Sequence, residues 1–107
     1  MNLLTGGLPA RAFANLASLK YLGLAGNLLT TARAEWWTNT SSPLIIEVID
    51  MQHNSFETLS AGLFDALANS LVAVDLRYNF IISLPPLFFG RLFPSLTTWL
   101  VVSFYIV

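Results

Sequence analysis

Apolar side chains fall along this chain in short alternating runs set at a nearly constant distance from one another. The clearest run is 19–29, in which Leu19, Leu22, Leu24, Asn27 and Leu29 stand at fixed offsets. The same offsets return 27 residues later at Ile46, Ile49, Met51, Asn54 and Phe56, and 25 residues after that at Leu71, Val74, Leu76, Asn79 and Ile81. Another 25 residues bring Leu96, Trp99, Val101 and Ile106, with Phe104 in the asparagine position, while Asn2 and Leu4 match the end of an earlier unit. Within each unit the two apolar residues before the asparagine are two apart, which is the period of a strand with one buried face. One such unit cannot bury its apolar face alone, so the copies must stack. The pattern predicts parallel strands near 20–24, 47–51, 72–76 and 97–101. It predicts short helical or 3-10 turns near 9–15, 31–37, 60–67 and 86–92.

The intervening segments repeat too. Leu8-Pro9 is followed by Phe13 and Leu16, Leu59 by Phe64 and Leu67, and Leu84-Pro85 by Phe89 and Leu92. Stacked copies place Phe13, Phe64 and Phe89 in one apolar column behind the strands. Asn27, Asn54 and Asn79 fall in another column, where a side-chain amide can bond turn backbone. Taken together these positions resemble the leucine-rich repeat in its 24-residue "typical" form, over essentially the whole chain. The resemblance implies an α/β fold: a right-handed solenoid, or horseshoe segment, with parallel strands on the concave face and short helical or 3-10 turns on the convex face. The chain is then a single repeat region over 1–107, with repeat cores starting near 19, 46, 71 and 96 and a partial repeat before 19.

Departures from the pattern matter as well. The unit starting at Leu19 is two residues longer, and its second half contains Trp36, Trp37 and the polar run Thr38 to Ser42 before Pro43. Trp37 is expected in the phenylalanine role, with the polar run bulging outward. Phe104 breaks the asparagine ladder in the last unit. Families of this class close their ends with Cys-bearing caps, and neither is found here. We therefore expect a stretch from inside a larger solenoid, or a truncated gene product. Core residues at uncapped ends, Leu4 and Leu8 at one and Trp99, Val101 and Ile106 at the other, lead to an expectation of end-to-end self-association.

Composition narrows the function classes. Charged residues are 10% of the 107 and hydrophobic ones 55%, with a mean hydropathy of +0.66, so the chain is not intrinsically disordered. A net charge of −1 supplies no basic footprint for nucleic acid. The lack of cysteine excludes a disulfide framework, a thiolate nucleophile and a Cys-based zinc site. Met1 to Gly7 has neither the basic region nor the long apolar run of a signal peptide. Leu92 to Val107 is uncharged but is shorter than the ~20 residues of a spanning helix and contains Pro94, so a buried strand is the better reading. A membrane then enters only through a parent protein.

No Gly-rich phosphate loop is complete, and one histidine without cysteine makes a poor metal site, so neither cofactor nor metal is expected. His53 and Ser55 have no nucleophile elbow around them, and a serine triad is not expected. The better candidates are strand positions on the solvent side, which stack as Lys20 and Glu47; Tyr21 and Val48; Asp50 and Asp75 beside Gly23; Gln52 and Arg77 beside Ala25; and His53 and Tyr78 beside Gly26. Asp50 and Asp75 on adjacent strands would lie about 4.8 Å apart and attract a cation. Such a pair is more often merely a solvated surface, and His53 reads first as a solvated turn residue. Asn39-Thr40-Ser41 is a glycosylation sequon, relevant to an extracellular chain. The expected function is a non-enzymatic recognition module for a protein or peptide, part of a larger receptor-like protein at the cell surface or outside the cell. The alternatives are a structural or truncated fragment without independent binding, and a cytoplasmic location.

Overall fold

The computed structural model describes residues 5–9, 12–13, 15–38 and 43–81. Five short strands lie among them: β1 (Thr5–Gly6), β2 (Tyr21–Gly23), β3 (Leu28–Leu29), β4 (Val48–Asp50) and β5 (Ala73–Asp75). β2, β4 and β5 form one parallel sheet in that order, with Tyr21 beside Val48 and Ala73, Leu22 beside Ile49 and Val74, and Gly23 beside Asp50 and Asp75. This is the register that the 27- and 25-residue spacings predict. The strand expected near 97–101, the turn near 86–92, Phe89, and the terminal core residues Leu4, Trp99, Val101 and Ile106 lie outside the described residues.

Backbone bonding extends beyond the three-residue strands. Glu47 and Val48 N–H both donate to the Lys20 carbonyl, and Val72 and Ala73 N–H both donate to Glu47. At the other end Leu24 N–H donates to Asp50 and Gly26 N–H to Gln52, while Met51 donates to Asp75 and His53 to Arg77. Neighbouring units are therefore tied from residue 20 through residue 26 and at the matching positions. The alternation then does what it predicts: Leu22, Leu24, Ile49, Met51, Val74 and Leu76 are buried in one core.

After each strand the chain turns sharply and delivers its asparagine inward. Asn54 Nδ2 donates to the carbonyls of Met51 in its own unit and Leu24 in the preceding one, at 3.1 and 2.8 Å. Asn79 repeats this with Leu76 and Met51, at 3.1 and 3.0 Å. In return, Leu29 N–H donates to Asn54 Oδ1 and Phe56 N–H to Asn79 Oδ1. The Leu24 carbonyl also accepts from Asn27, so the Asn27 and Asn54 amides meet on one carbonyl, and Asn54 and Asn79 each link adjacent turns.

Behind the strands, Phe13, Trp37 and Phe64 form the aromatic column, with Phe13 and Trp37 stacked at 5.7 Å and Trp37 and Phe64 at 6.2 Å. Trp37 thus stands where the longer unit has no phenylalanine. Trp36, which the repeat pattern leaves unassigned, is also fully buried, edge-on to both Phe13 and Trp37. Its Nε1 donates to the Leu8 carbonyl at 3.4 Å.

The short turns expected near 31–37 and 60–67 are present as 3-10 pieces at Ala34–Trp36 and Asp65–Leu67, with no α-helix among the described residues. Pieces of this length are too short to sustain a helical nucleus. Two other expectations need correction. Around 9–15 the chain makes separate turns, with Ala12 N–H bonded to Pro9 and Leu16 N–H to Phe13. Leu16 is exposed, whereas its counterpart Leu67 is buried. Finally, β1 pairs with β3 by placing Gly6, not Leu4, beside Leu29. Glycine backbone allows a close approach here, since a side chain at Gly7 would come within 2.6 Å of Thr31 Oγ1.

Candidate functional site

The solvent side of the β2-β4-β5 sheet carries most of the residues singled out by the repeat. Tyr21 and Gly23 are two apart and point the same way. A Cβ on Gly23 would stand 3.2 Å from the Tyr21 ring, so the bare glycine leaves room for the ring beside it. From there the Tyr21 hydroxyl donates to Asp50 Oδ2 on the next strand at 3.3 Å. Partial burial, followed by the charge and hydrogen bond of Asp50, raises the Tyr21 hydroxyl above its ordinary pKa.

The two aspartates share a local device. Asp50 Oδ1 accepts from the backbone N–H of Gln52, and Asp75 Oδ1 accepts from that of Arg77. Such a side chain bonding the backbone two residues on holds its own carboxylate in place. Beyond that the sites diverge. Asp75 meets the Arg77 guanidinium in a fork, with Nε at 2.9 and 3.0 Å and Nη2 at 2.7 Å. Among the described residues Asp50 receives only neutral donors, the Gln52 Nε2 at 3.1 Å and the Tyr21 hydroxyl. The Arg77 hydrogen bond holds the Asp75 carboxyl below its usual range despite partial burial. The expected like-charge pair is therefore uneven: Asp75 is neutralised within its own unit, and Asp50 is the carboxylate without a cation.

Around these groups the sheet forms a hollow of about 300 Å³, lined by Tyr21, Val48, Asp50, Ala73, Val74, Asp75 and Arg77. Lys20 and Glu47 are exposed at the start of the strands, outside this lining. At the opposite end His53 and Tyr78 stack, with ring centroids 4.3 Å apart and planes 11° from parallel. Both residues have left-handed backbone, φ 56° and 60°, as does Gly26 at φ 74°. His53 is therefore more than an isolated turn histidine, because the same bend in the next unit supplies its partner. Asn39 lies outside the described residues.

Sequence reasoning missed the room that Gly23 leaves for Tyr21 and the fork between Asp75 and Arg77. It also missed the exposed Leu28 and Phe80, which occupy matching positions beyond the turn. The Asp-x-Arg spacing could have signalled the fork, and the Tyr-x-Gly spacing the open place beside the ring. Among the described residues no group of His, Asp and Glu could hold a metal ion, and no helix is long and apolar enough to cross a membrane. Compared with protein-family models, curated proteins and solved structures, the chain has no match.

Proposed function

We propose that this chain is a stretch of leucine-rich repeat solenoid, without catalysis of its own, that recognises a protein or peptide on its concave strand face. The repeat reading is supported by equal offsets in sequence, the parallel register of β2, β4 and β5, and the asparagines linking successive turns. The recognition reading rests on one observation. The hollow on the solvent side presents an exposed aromatic ring, Tyr21, beside Asp50, a carboxylate with no cation of its own. Aromatic area beside an oriented polar group is the usual make-up of an interface centre.

Selection of peptides from a random displayed library on the 107-residue chain tests this reading. Peptides that bind should lose at least about tenfold in affinity with Tyr21→Ala or Asp50→Ala, in the range of an interface anchor. Selected peptides indifferent to both changes, or no selected peptide at all, would refute it. The self-satisfied Asp75–Arg77 pair favours the second reading, a structural fragment whose face is merely solvated, and that reading predicts the empty selection.

The same proposal places the chain in a larger receptor-like protein at the cell surface, with membrane attachment only through that parent and with Asn39 available to glycosylation. Full affinity for a protein ligand then requires neighbouring repeats, whereas a short peptide can still bind the isolated chain, which self-associates end to end. Sedimentation of the purified chain checks this: a monomer at tens of micromolar that binds as tightly as a longer chain would contradict it.

A further inference from the structure

We infer that the turn at Gly26 is a stacking slot for one aromatic side chain of a polypeptide partner, extending the ring column formed by Tyr78 and His53. This inference rests on reading the strand face as a recognition surface, and it names one chemical group that the surface takes.

Gly26, His53 and Tyr78 occupy the same place in three successive turns and share one backbone conformation. The turns are joined in equivalent fashion, Gly26 N–H to the Gln52 carbonyl at 3.1 Å and His53 N–H to the Arg77 carbonyl at 3.0 Å. Gly26 therefore stands beside His53 as His53 stands beside Tyr78. The two rings lie 4.3 Å apart and nearly parallel, close to the ~4.8 Å between neighbouring strands, so the stacking direction follows the strand-to-strand direction. At Gly26 the column has no side chain, and a Cβ placed there meets no atom within 4 Å. One face of the imidazole is covered by Tyr78, and on its other side the column continues at Gly26, where an added Cβ meets no atom.

A planar ring entering that place makes the offset-stacked contact that His53 already makes with Tyr78. An aliphatic side chain fills the space without that geometry. A guanidinium would stack too, but Asp75 already holds Arg77, and Asp50 lines the Tyr21 hollow, of which neither His53 nor Tyr78 is part. A neutral aromatic ring needs no counter-ion and suits the slot better.

The test is an NMR titration of the intact chain with N-acetyl-tryptophan amide, with the leucine and arginine amides as comparators. The tryptophan compound should move the His53 ring protons and the Gly26 amide saturably, and bind about three- to tenfold tighter than either comparator. His53→Asn keeps a residue that tolerates left-handed backbone but removes the ring, and should weaken binding by the same factor. Gly26→Tyr should occupy the slot and abolish binding. If that variant loses native amide dispersion, His53→Asn decides alone. Equal response to leucine amide, preference for arginine amide, no movement at His53, or unchanged affinity in folded His53→Asn would each overturn the inference. The outcome is separable from that of the peptide selection. Peptides that bind at Tyr21 and Asp50 while the ring compound leaves His53 unmoved sink the slot alone, and an empty selection with ring binding at His53 sinks only the wider reading.

Discussion

Two polar columns run across this molecule, and they behave in opposite ways. Asn54 and Asn79 are buried, and each bonds backbone both in its own unit and in the neighbouring one. Asp50 and Asp75 sit on the open face, and each spends its carboxylate mainly within its own unit, on Gln52 or Arg77. Among the described residues only the Tyr21 hydroxyl carries a side-chain bond from one strand to the next on that face. An amide buried among turn carbonyls has no water to fall back on, so its position must be kept from unit to unit. A carboxylate at the surface can exchange its partners for water, which leaves its neighbours free to differ: Gln52 in one unit, Arg77 in the next. Repeated geometry is thus held from inside, and variation is left to the outside.

Substitutions sharpen the contrast in order of size. Asn54→Ala strands the Leu29 N–H and removes donors from the Leu24 and Met51 carbonyls, and should cost about 1–3 kcal/mol in chemical denaturation. Asn54→Leu should be no better despite its similar volume, because the buried Leu29 N–H stays unpaired. A neutral Asn54→Leu would break the comparison. Gly26→Ala should cost about 1–2 kcal/mol, from the left-handed φ and not from crowding, since the added carbon meets nothing within 4 Å.

The surface column should respond mainly to pH. Arg77 lowers the folded-state pKa of Asp75 below its unfolded value, so the stability it contributes is present above the unfolded pKa of about 3.9 and is lost as pH falls through the folded value. Asp75→Asn should therefore lie slightly below the parent near neutral pH and converge with it in acid, which denaturation midpoints across pH 2–7 would show. A gap that widened in acid would contradict the assignment. Smallest of all, Asn39→Ala in the polar run should leave stability unchanged.

The column assignments were legible because burial imposes strict offsets. Leu22, Ile49 and Val74 must point inward together, and one inserted residue would turn the strand over. Trp37 could be placed by the same logic, since only one site in the longer unit lacked its aromatic residue. What escaped the pattern depends on single contacts instead of period. The repeat period does not tell that Arg77 folds back on Asp75 or that Gly23 leaves space for Tyr21, which only the local Asp-x-Arg and Tyr-x-Gly spacings signal, nor that His53 and Tyr78 adopt left-handed backbone. The shift of β1 by two residues belongs to the same class, as it accompanies a close approach at Gly7 and not an apolar offset.

The paired indoles also give the fold a built-in optical probe. Trp36 and Trp37 are held edge to face at 5.5 Å, against Phe13 on one side and Phe64 on the other. Chromophores fixed at that distance couple electronically, so the tryptophan bands at the red edge of the near-ultraviolet circular dichroism of a Trp99→Phe chain report this junction. The junction joins segments separated by some fifty residues, and its signal survives only while the first and second connections remain docked. Loss of that signal before the far-ultraviolet change would reveal units that melt one after another. Coincidence of the two would show that the stack comes apart as one body.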